Sequence, residues 1–438
     1  MEPGAVLIIV LAVFAVLLIS EVPIAFVLAL AGAVGILLTR GLDVTTSAMA
    51  NVPFTAVANY SLSIVPMYVL VGVFAVFARI AEHVYTVADR LLVRVRGGLG
   101  VATIGACAGF AAVTGSSVAT AATVGRLAIG EMRKRGYPDT LATGIVAASG
   151  TLGILIPPSI ILAIYGILTG ESIAALLVAG IIPGIVSALI YTIYVVAKGR
   201  PDQSEAEIIE TRQRPLRQLP WRGVFRVGVI FTLVMLGVYT GWFTVTESGA
   251  LGAFFALVIM LIELRKDGLR RVLEVVKAAF LEVAAVTSMS FFIFIGSSIF
   301  TFYLVSAGIP TAFLRWVTSL DISGTLIVAL FLLVLIPLGM ALDSLSILVI
   351  FVPLTYPVIH ALGFDGVWYA ILVVKGIELG QITPPVGINV YVVAGVSGVK
   401  PERVFRGIWP FAGLDVATAL TFFLFPGIIL WLPSVVGT

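Results

Sequence analysis

Residues that support catalysis or bind metals through thiol and imidazole groups are almost absent from this sequence of 438 residues. Its single cysteine, Cys107, cannot form a disulfide within the chain, and the two histidines, His83 and His360, are too few for a Cys/His metal cluster. The chain also lacks the GxxxxGK[S/T] motif of ATP-hydrolysing proteins and any credible Ser/His/Asp or Cys/His arrangement. The sequence therefore predicts that the chain is not an enzyme and uses no cofactor.

Charge is scarce as well. Charged residues make up 11% of the chain and hydrophobic residues 60%, whereas soluble globular proteins have roughly 25% charged residues. About 20 apolar residues suffice for a helix to cross a bilayer. The sequence thus predicts an all-α polytopic membrane protein with ten crossings, at about 5–20, 22–38, 52–78, 139–170, 173–197, 224–241, 246–263, 281–305, 366–396 and 409–431.

Two further apolar stretches, 98–131 and 323–361, differ from the ten crossings. Each has small or polar residues at its middle and similar flanks at both ends. The half-segments are short, so each stretch is interpreted as a re-entrant hairpin that enters the membrane and returns to the same side. The alternative is a pair of ordinary full spans joined by a short turn.

Basic residues in the loops predict which ends face the cytoplasm, since cytoplasmic loops carry an excess of Lys and Arg. The polar connection 198–226 carries seven basic residues and is predicted to be cytoplasmic, as are 263–271 and 400–407. Basic residues also flank the first hairpin, whereas the second has only Arg315 nearby. The first hairpin is therefore predicted to open to the cytoplasm, the second to the outside, and both termini to lie outside.

An internal repeat relates the two halves of the chain. An offset of 227 residues carries Pro157 and Pro158 onto Pro384 and Pro385, and it carries Ser117 onto Ser344. Because the two hairpins are predicted to open to opposite sides, the repeat is interpreted as inverted in the membrane. Inverted repeats with Gly/Pro-interrupted helices in matching places are typical of secondary transporters, in which freed carbonyls coordinate cations. A simple proline kink is the alternative for each Pro-Pro pair.

The tip of the first hairpin reads TGSSVATAATVG, and its turn is rich in oxygen donors that suit sodium. Close helix packing by small residues is the alternative, and it explains the alanines that follow. We expect this tip to meet the broken helix of its own repeat. The predicted sodium-binding residues of this half are Thr114, Gly115, Ser116, Ser117, Ser149, Gly150 and Pro157.

The tip of the second hairpin reads LGMALDSLS and contains Asp343 in an otherwise apolar stretch. Ionisable residues within membrane segments are functional candidates by default, although Asp343 can also cap the returning half-helix. By the same pairing rule, this half is predicted to bind sodium through Gly339, Asp343, Ser344, Gly376, Gly380, Thr383 and Pro384.

Three residues near the helix breaks are candidates for binding a substrate. Ser159 and Asn389 follow the two breaks and offer neutral hydrogen bonds, and Lys375 offers a positive charge to an anion. The alternative for Lys375 is a local ion pair, because Glu378 lies three residues further along the same helical segment.

These motifs resemble the large membrane subunit of tripartite ATP-independent periplasmic (TRAP) transporters. The residues that carry the resemblance, which extends over nearly the whole chain, are TGSSVATAATVGRLAIGEMRKRGYPDTLATGIVAASGTLGILIPPSI and ELGQITPPVGINVYVVAGVSG. The resemblance implies an elevator-type ion transporter fold, in which a transport domain slides against a static scaffold. It also implies Na⁺-coupled uptake of an organic acid such as a carboxylate or a sialic acid-like anion. Lys375 departs from the pattern, since a neutral polar residue is expected there.

The resemblance further implies partners, a location and a division of the chain. A periplasmic substrate-binding protein is expected to deliver the substrate, and a small four-helix membrane subunit, as a separate chain, is expected to brace the scaffold in the bacterial inner membrane. Residues 1–78, 171–305 and 398–438 are predicted to form the scaffold, and residues 79–170 and 306–397 the two halves of the transport domain. A stand-alone ion-coupled dicarboxylate or anion carrier is the nearest alternative; a channel and an intramembrane enzyme fit less well.

Overall fold

A computed structural model of the chain describes residues 3–198 and 218–437, and within these ranges all regular structure is helical. Most of the polar connection 198–226 that was predicted to be cytoplasmic therefore lies outside the described residues. The prediction of an all-α protein is confirmed for the described ranges.

Ten α-helices lie within the described residues 3–198. They are α1 (Pro3–Ile19), α2 (Ile24–Arg40), α3 (Leu42–Val57), α4 (Ile64–Phe77), α5 (Ile80–Leu92), α6 (Gly98–Thr114), α7 (Ser117–Lys134), α8 (Asp139–Thr151), α9 (Ile160–Thr169) and α10 (Ile173–Lys198). Short 3₁₀ turns at Tyr60–Ser63 and Leu152–Ile154 precede α4 and follow α8.

Ten further α-helices follow in the described part of the second half. They are α11 (Trp221–Tyr239), α12 (Val245–Leu264), α13 (Leu269–Ser306), α14 (Ile309–Thr318), α15 (Gly324–Ala341), α16 (Ser344–Ala361), α17 (Gly366–Ile382), α18 (Ile388–Ser397), α19 (Pro401–Leu424) and α20 (Gly427–Val436).

The helix boundaries reproduce the repeat that the sequence predicts. Helix α7 coincides with α16 at the offset of 227 residues, and the interrupted pair α8 and α9 corresponds to α17 and α18. Both interruptions contain a cis peptide bond, one at Pro157–Pro158 and one at Pro384–Pro385. The repeat thus extends from helix order to backbone conformation at the breaks.

Three predicted spans differ from the helices in the structure. The stretch 52–78 is divided because Asn59 accepts a hydrogen bond from the Ser61 N–H at 2.9 Å and starts a new turn after α3 has ended. The stretch 409–431 is divided at Pro426, where α20 begins after α19 has ended. The stretch 281–305 is the second part of α13, a helix of 38 residues that begins at Leu269, directly before Arg270 and Arg271.

Apolar helices dominate the described chain. Eight of them are long and apolar enough to cross a membrane, among them both helices of the second hairpin at 18 residues each, and further apolar helices are shorter. Lipid offers no hydrogen bonds to the backbone, so helices are one of the two structures that can span it. The fold is that of a multi-pass membrane protein.

Glycine permits close packing between helices from two of the three predicted scaffold segments, 1–78 and 171–305. A Cβ atom on Gly32 of α2 would lie 2.8 Å from the Cα of Phe300 on α13, so these two backbones are in direct contact. A Cβ atom on Gly249 of α12 would lie 2.8 Å from the Cε1 of Tyr68 on α4. Small residues at such contacts are a general device for helix association in membranes.

Candidate functional site

The first hairpin turns within two residues. Helix α6 ends at Thr114, Gly115 adopts a left-handed conformation at φ +60°, and Ser116 caps α7 by accepting a hydrogen bond from the Ala119 N–H at 3.4 Å. A side chain at Gly115 would be strained at that φ value, and its Cβ would lie 2.6 Å from the carbonyl oxygen of Pro158. Glycine therefore lets the hairpin tip lie against the helix break.

The predicted pairing between the first tip and the break of its own repeat is present in the structure. A Cβ atom on Gly153 would lie 2.5 Å from the carbonyl oxygen of Ser116, and one on Gly150 would lie 2.7 Å from the Cβ of Ala121. The carbonyl oxygens of Ser116 in the tip and of Pro158 in the break lie at this contact. Oxygen ligands suit hard cations such as sodium.

Hydroxyl groups of the first half are largely bonded within their own segments. Thr114 and Thr120 share a hydrogen bond of 3.1 Å, and the buried Ser149 donates to the carbonyl of Ile145. Ser159, a predicted substrate ligand, caps α9 and donates to the carbonyl of Ile154 at 2.6 Å. The oxygen of Ser159 thus lies within the break, where it stabilises the interrupted backbone.

The second tip is organised by Asp343. Its Oδ1 accepts hydrogen bonds from the N–H groups of Leu345 at 3.0 Å and Ser346 at 3.2 Å, and its Oδ2 accepts one from the Ser346 hydroxyl. Asp343 therefore caps α16, as the alternative from the sequence describes. A partial positive charge at a helix N-terminus also favours a carboxylate at this position.

Helices α15 and α17 make the corresponding contact in the second half. A Cβ atom on Gly380 would lie 2.5 Å from the Cα of Gly339, and one on Gly376 would lie 2.8 Å from Leu335. Backbone oxygens also converge on Gly387, whose added Cβ would lie 3.0 Å from the Gln381 carbonyl and 3.3 Å from the Thr383 carbonyl. Three of the predicted residues, Gly339, Gly376 and Gly380, thus serve this contact, and Pro384 forms the cis bond beside it.

Gln381 connects the two hairpins. The Ser117 hydroxyl donates to its Oε1 at 3.1 Å, and its Nε2 donates to the Ser344 hydroxyl at 2.5 Å. All three side chains are buried, and the two serines are equivalent in the repeat. The role of Gln381 was not predicted, although a polar residue inside an apolar segment directly before the ITPP motif is a signal for it.

Asn389 follows the second break on α18. It is fully buried, and neither its amide nitrogen nor its amide oxygen has a hydrogen-bond partner in the described part of the chain. A buried amide without partners costs about 1–3 kcal/mol. That Asn389 binds a substrate stays a prediction.

Lys375 has two acidic partners. Its Nζ donates to Glu378 Oε2 at 2.6 Å and to Asp415 Oδ1 at 2.7 Å, and it lies 3.4 Å from the Ser187 hydroxyl. The pairing with Glu378 is the alternative that the sequence offered. Asp415 was not predicted, although an acid in an apolar helix signals a buried partner.

Taken together, these side chains offer neutral oxygens and a capped carboxylate around two helix breaks. Among the described residues no group of three or more His, Cys, Asp or Glu side chains could hold a metal ion. An all-helical membrane protein with two interrupted helices, each closed by a hairpin tip, has the architecture of a secondary transporter.

The comparisons with known proteins agree with this class. Residues 11–428 match the family model described as "Tripartite ATP-independent periplasmic transporter, DctM component", and the chain belongs to this family. The resemblance stated from the sequence is confirmed. Members of the family are named permeases, so the prediction that the chain is not an enzyme is also confirmed.

Two curated relatives match almost end to end. The C4-dicarboxylate TRAP transporter large permease protein DctM of Pseudomonas aeruginosa is 32% identical over 417 residues, which cover 94% of both chains. The sialic acid TRAP transporter large permease protein SiaM of Vibrio cholerae is 29% identical over 426 residues, covering 95% of this chain and 96% of that protein.

A solved structure has a similar fold. The Alcanivorax borkumensis YdaH transporter, described as having an unusual topology, aligns with a TM-score of 0.60 over 89% of both chains. The two sequences are 13% identical, so this similarity concerns the fold alone. The membrane-transporter fold predicted from the sequence is thereby confirmed.

Proposed function

We propose that the chain carries out Na⁺-coupled secondary uptake of an organic acid by an elevator mechanism. Transport of organic acids as such follows from the family and from its C4-dicarboxylate and sialic acid relatives. The observation that carries the finer proposal is the bridge of Ser117, Gln381 and Ser344, which joins both hairpin tips beside the two breaks. A solute bound at this junction would contact both repeats at once.

Sodium is proposed as the coupling ion because the site offers the ligands that it prefers. The first site would use the backbone oxygens between the tip at Ser116 and the break at Pro158, with the nearby hydroxyls of Thr114 and Ser117. The second site would use the Gln381 and Thr383 carbonyls with the oxygens of Asp343 and Ser344. Freed carbonyls at helix breaks are typical sodium ligands in transporters.

The hairpins are proposed to be re-entrant and the repeat to be inverted in the membrane. Helix length does not distinguish a re-entrant pair from two full spans, because the helices of the second hairpin contain 18 residues each. What supports re-entry is the direct backbone contact of each tip with a break, since irregular backbone is tolerated at membrane depth where it is buried in protein. Both termini would then be periplasmic.

The moving body in this proposal is larger than the segments 79–170 and 306–397. A buried ion pair joins α17 to α19 through Lys375 and Asp415. A Cβ atom on Gly184 of α10 would lie 2.6 Å from Ile156 in the first break. Separating a buried ion pair is costly, so we assign α10 and α19 to the transport domain rather than to the scaffold.

Two partners complete the proposed transport system. Large permeases of this family work with a substrate-binding protein and a small membrane subunit. We propose a separate four-helix subunit against the scaffold in the inner membrane and a periplasmic protein that delivers the anion. The substrate-binding protein would supply most of the selectivity among organic acids.

Reconstitution tests the proposal. Proteoliposomes that contain the chain and its small subunit would receive C4-dicarboxylates or sialic acid together with the binding protein, under an inward sodium gradient. Uptake is expected to require both sodium and the binding protein, and to fall in Ser117→Ala but not in Ser290→Ala, a control whose hydroxyl donates to the Val286 carbonyl on its own helix, α13. Uptake by the chain alone would favour a stand-alone carrier, and uptake without sodium would refute the coupling.

A further inference from the structure

A polar contact fixes the second hairpin at the end that lies away from its tip. Near the end of α16, the Tyr356 hydroxyl donates to Glu171 Oε1 at 2.6 Å. Glu171 belongs to the first repeat, where it lies between α9 and α10. Helix α17 begins at the same place, because a Cβ atom on Gly366 would lie 1.9 Å from Glu171 Oε1. Tyr356, Glu171 and Gly366 are called the second clasp below.

Tyr165 of α9 adds two contacts to the second clasp. Its hydroxyl donates to the Gly366 carbonyl at 3.1 Å, and its ring meets the Tyr356 ring edge-on, with centroids 6.2 Å apart. Aromatic pairs in this arrangement are favourable. The Glu171 carboxylate also lies at the N-terminus of α17, where a partial positive charge favours it. The second clasp therefore joins α9 of the first repeat to α16 and α17 of the second.

The equivalent helices meet at the far end of the first hairpin. Arg133, near the end of α7, donates to Asp139 Oδ1 at 2.7 Å and to the Ser397 carbonyl at 3.0 Å. Asp139 is the first residue of α8, and Ser397 is the last residue of α18 in the other repeat. Arg403 of α19 lies 3.9 Å from Asp139 Oδ2. Arg133, Asp139 and Ser397 are called the first clasp below.

The two clasps make the same connection with different side chains. Each joins the returning helix of a hairpin to the start of the interrupted helix that follows it. Each also reaches the second part of the interrupted helix in the opposite repeat. At the offset of 227 residues, His360 stands at the position of Arg133 and Gly366 at that of Asp139. The connection is thus common to both repeats, although one clasp is an ion pair and the other a hydrogen bond to a carboxylate.

We propose that the two clasps position the hairpin tips. Each returning helix is fixed at its first residue by the Gln381 bridge and near its last turn by a clasp. In α16 these two points are Ser344 and Tyr356, which lie about 18 Å apart along the helix axis. A helix that is held at two points cannot tilt. The serines at both tips therefore keep the spacing that Gln381 bridges.

Glu171 and Arg133 are positioning residues in this account. They touch neither sodium nor solute, and they act on the proposed sodium sites through α16 and α7. Binding groups are held precisely when contacts around them fix their supporting elements. The inference rests on the proposed sodium-coupled transport, and it adds the residues that keep the tips in the geometry that binds sodium.

Loss of a clasp is expected to change sodium affinity rather than the maximal rate. If a tip can tilt, only a fraction of the molecules has the geometry that binds sodium, and the apparent affinity falls by that fraction. Saturating sodium draws the remaining molecules into the competent geometry, so maximal uptake stays close to the native value. A residue that only supports the fold would lower the amount of active protein and would leave the half-saturating sodium concentration unchanged.

Four variants test the second clasp in the reconstituted system with the small subunit and the binding protein. Glu171→Leu removes the acceptor, Tyr356→Phe removes the donor, and Glu171→Gln keeps an acceptor for the Tyr356 hydroxyl. Gly366→Ala is an independent test, because its Cβ would displace the Glu171 carboxylate while every hydrogen-bonding group is retained. The matched controls are Glu282→Leu and Tyr60→Phe, at exposed residues.

The first clasp is tested by Arg133→Met, which removes the donors to Asp139 and to the Ser397 carbonyl. Its control is Arg270→Met, at an exposed arginine on α13. Initial rates of uptake would be measured over a range of sodium concentrations at saturating binding protein. Thermal unfolding of the same preparations would show how much of each variant is folded.

The disrupted clasps are expected to raise the half-saturating sodium concentration. Glu171→Leu, Tyr356→Phe and Gly366→Ala should each raise it about three- to tenfold, the effect of losing one hydrogen bond, and Arg133→Met should raise it as well. Glu171→Gln and the controls should keep the native value. The double variant Glu171→Leu/Tyr356→Phe should resemble Glu171→Leu alone, because partners in one contact are not additive.

Three results would overturn the positioning role. One is a native half-saturating sodium concentration in Tyr356→Phe and Gly366→Ala. Another is a lower maximal rate with unchanged sodium affinity, which would make the clasps purely structural. The third is an equal loss in Glu171→Gln and Glu171→Leu, since charge and not the contact would then matter. If Glu171→Leu fails to fold, Tyr356→Phe and Gly366→Ala still decide. Sodium-independent uptake by the native chain would instead refute the proposed function, and the inference with it.

Discussion

Ser117 and Ser344 occupy the same position in the two repeats and hydrogen-bond to opposite ends of one amide, that of Gln381. The repeat places a serine at the start of each returning hairpin helix, but the residue equivalent to Gln381 in the first half is Ile154, which cannot bridge. A symmetric pair of tips is therefore joined by an asymmetric link.

Removing the amide should uncouple the two tips. In Gln381→Leu both serine hydroxyls lose their partner while buried, which is expected to cost about 1–3 kcal/mol and to lower sodium-driven uptake by an order of magnitude or more. Gln218→Leu, a change at an exposed glutamine, is the control. Uptake assays and thermal unfolding would be run on the same preparations. Native uptake rates in Gln381→Leu would contradict a role for the bridge.

Asp343 combines a cap with a negative charge, and two substitutions separate these roles. Asp343→Ala removes both and is expected to lower stability by about 0.5–2 kcal/mol. Asp343→Asn keeps an oxygen for the Leu345 and Ser346 N–H groups and should retain native stability. If the carboxylate contributes to sodium binding, both variants will need more sodium for half-maximal uptake. If uptake by Asp343→Asn has the sodium dependence of the native chain, Asp343 only caps the helix.

Glycines at the contacts between tips and breaks should not tolerate substitution by alanine, which adds only a methyl group. In Gly153→Ala the new Cβ would lie 2.5 Å from the Ser116 carbonyl, and in Gly380→Ala it would lie 2.5 Å from the Gly339 Cα. Each neighbour is backbone, so a loss of about 1–3 kcal/mol is expected, together with loss of transport. Gly105→Ala is the control because its Cβ meets nothing within 4 Å. Equal unfolding midpoints in all three variants would argue against direct backbone contact.

Lys375 should be indispensable only while its acidic partners are present. Lys375→Met leaves Glu378 and Asp415 without a cation, which is expected to destabilise the chain by about 3–5 kcal/mol. Adding Glu378→Gln and Asp415→Asn to Lys375→Met should restore most of the stability. Lys277→Met, at an exposed lysine on α13, serves as the control. No recovery in the triple variant would mean that Lys375 contributes through packing rather than charge.

Local features of this fold could be predicted from the sequence. The two hairpin turns, the breaks at Pro157 and Pro384, and the alignment of α7 with α16 depend on Gly, Pro and Ser residues whose effects are short in range. Helices in polar stretches were harder to predict. Helix α3 was not predicted because its pattern of Thr, Ser and Asn residues resembles a loop.

Contacts between distant segments could not be predicted. Gln381 and Ser117 lie 264 positions apart, and Lys375 and Asp415 lie 40 apart on different helices. A single sequence shows that Asp415 is an acid in an apolar segment, and such an acid needs a partner when it is buried. The sequence does not show which helix supplies that partner. Burial of the Asn389 side chain without a hydrogen-bond partner among the described residues is likewise visible only in three dimensions.

Helix α13 is too long for the bilayer that contains it. Its 38 residues extend over about 57 Å at 1.5 Å per residue, against a hydrocarbon thickness of roughly 30 Å. Burying its whole length would need a tilt beyond the usual range of about 0–40°. Its first turns, with Arg270, Arg271 and Lys277, must therefore lie among the lipid headgroups or beyond them. The position of α13 across the membrane is thereby tied to the thickness and surface charge of the bilayer.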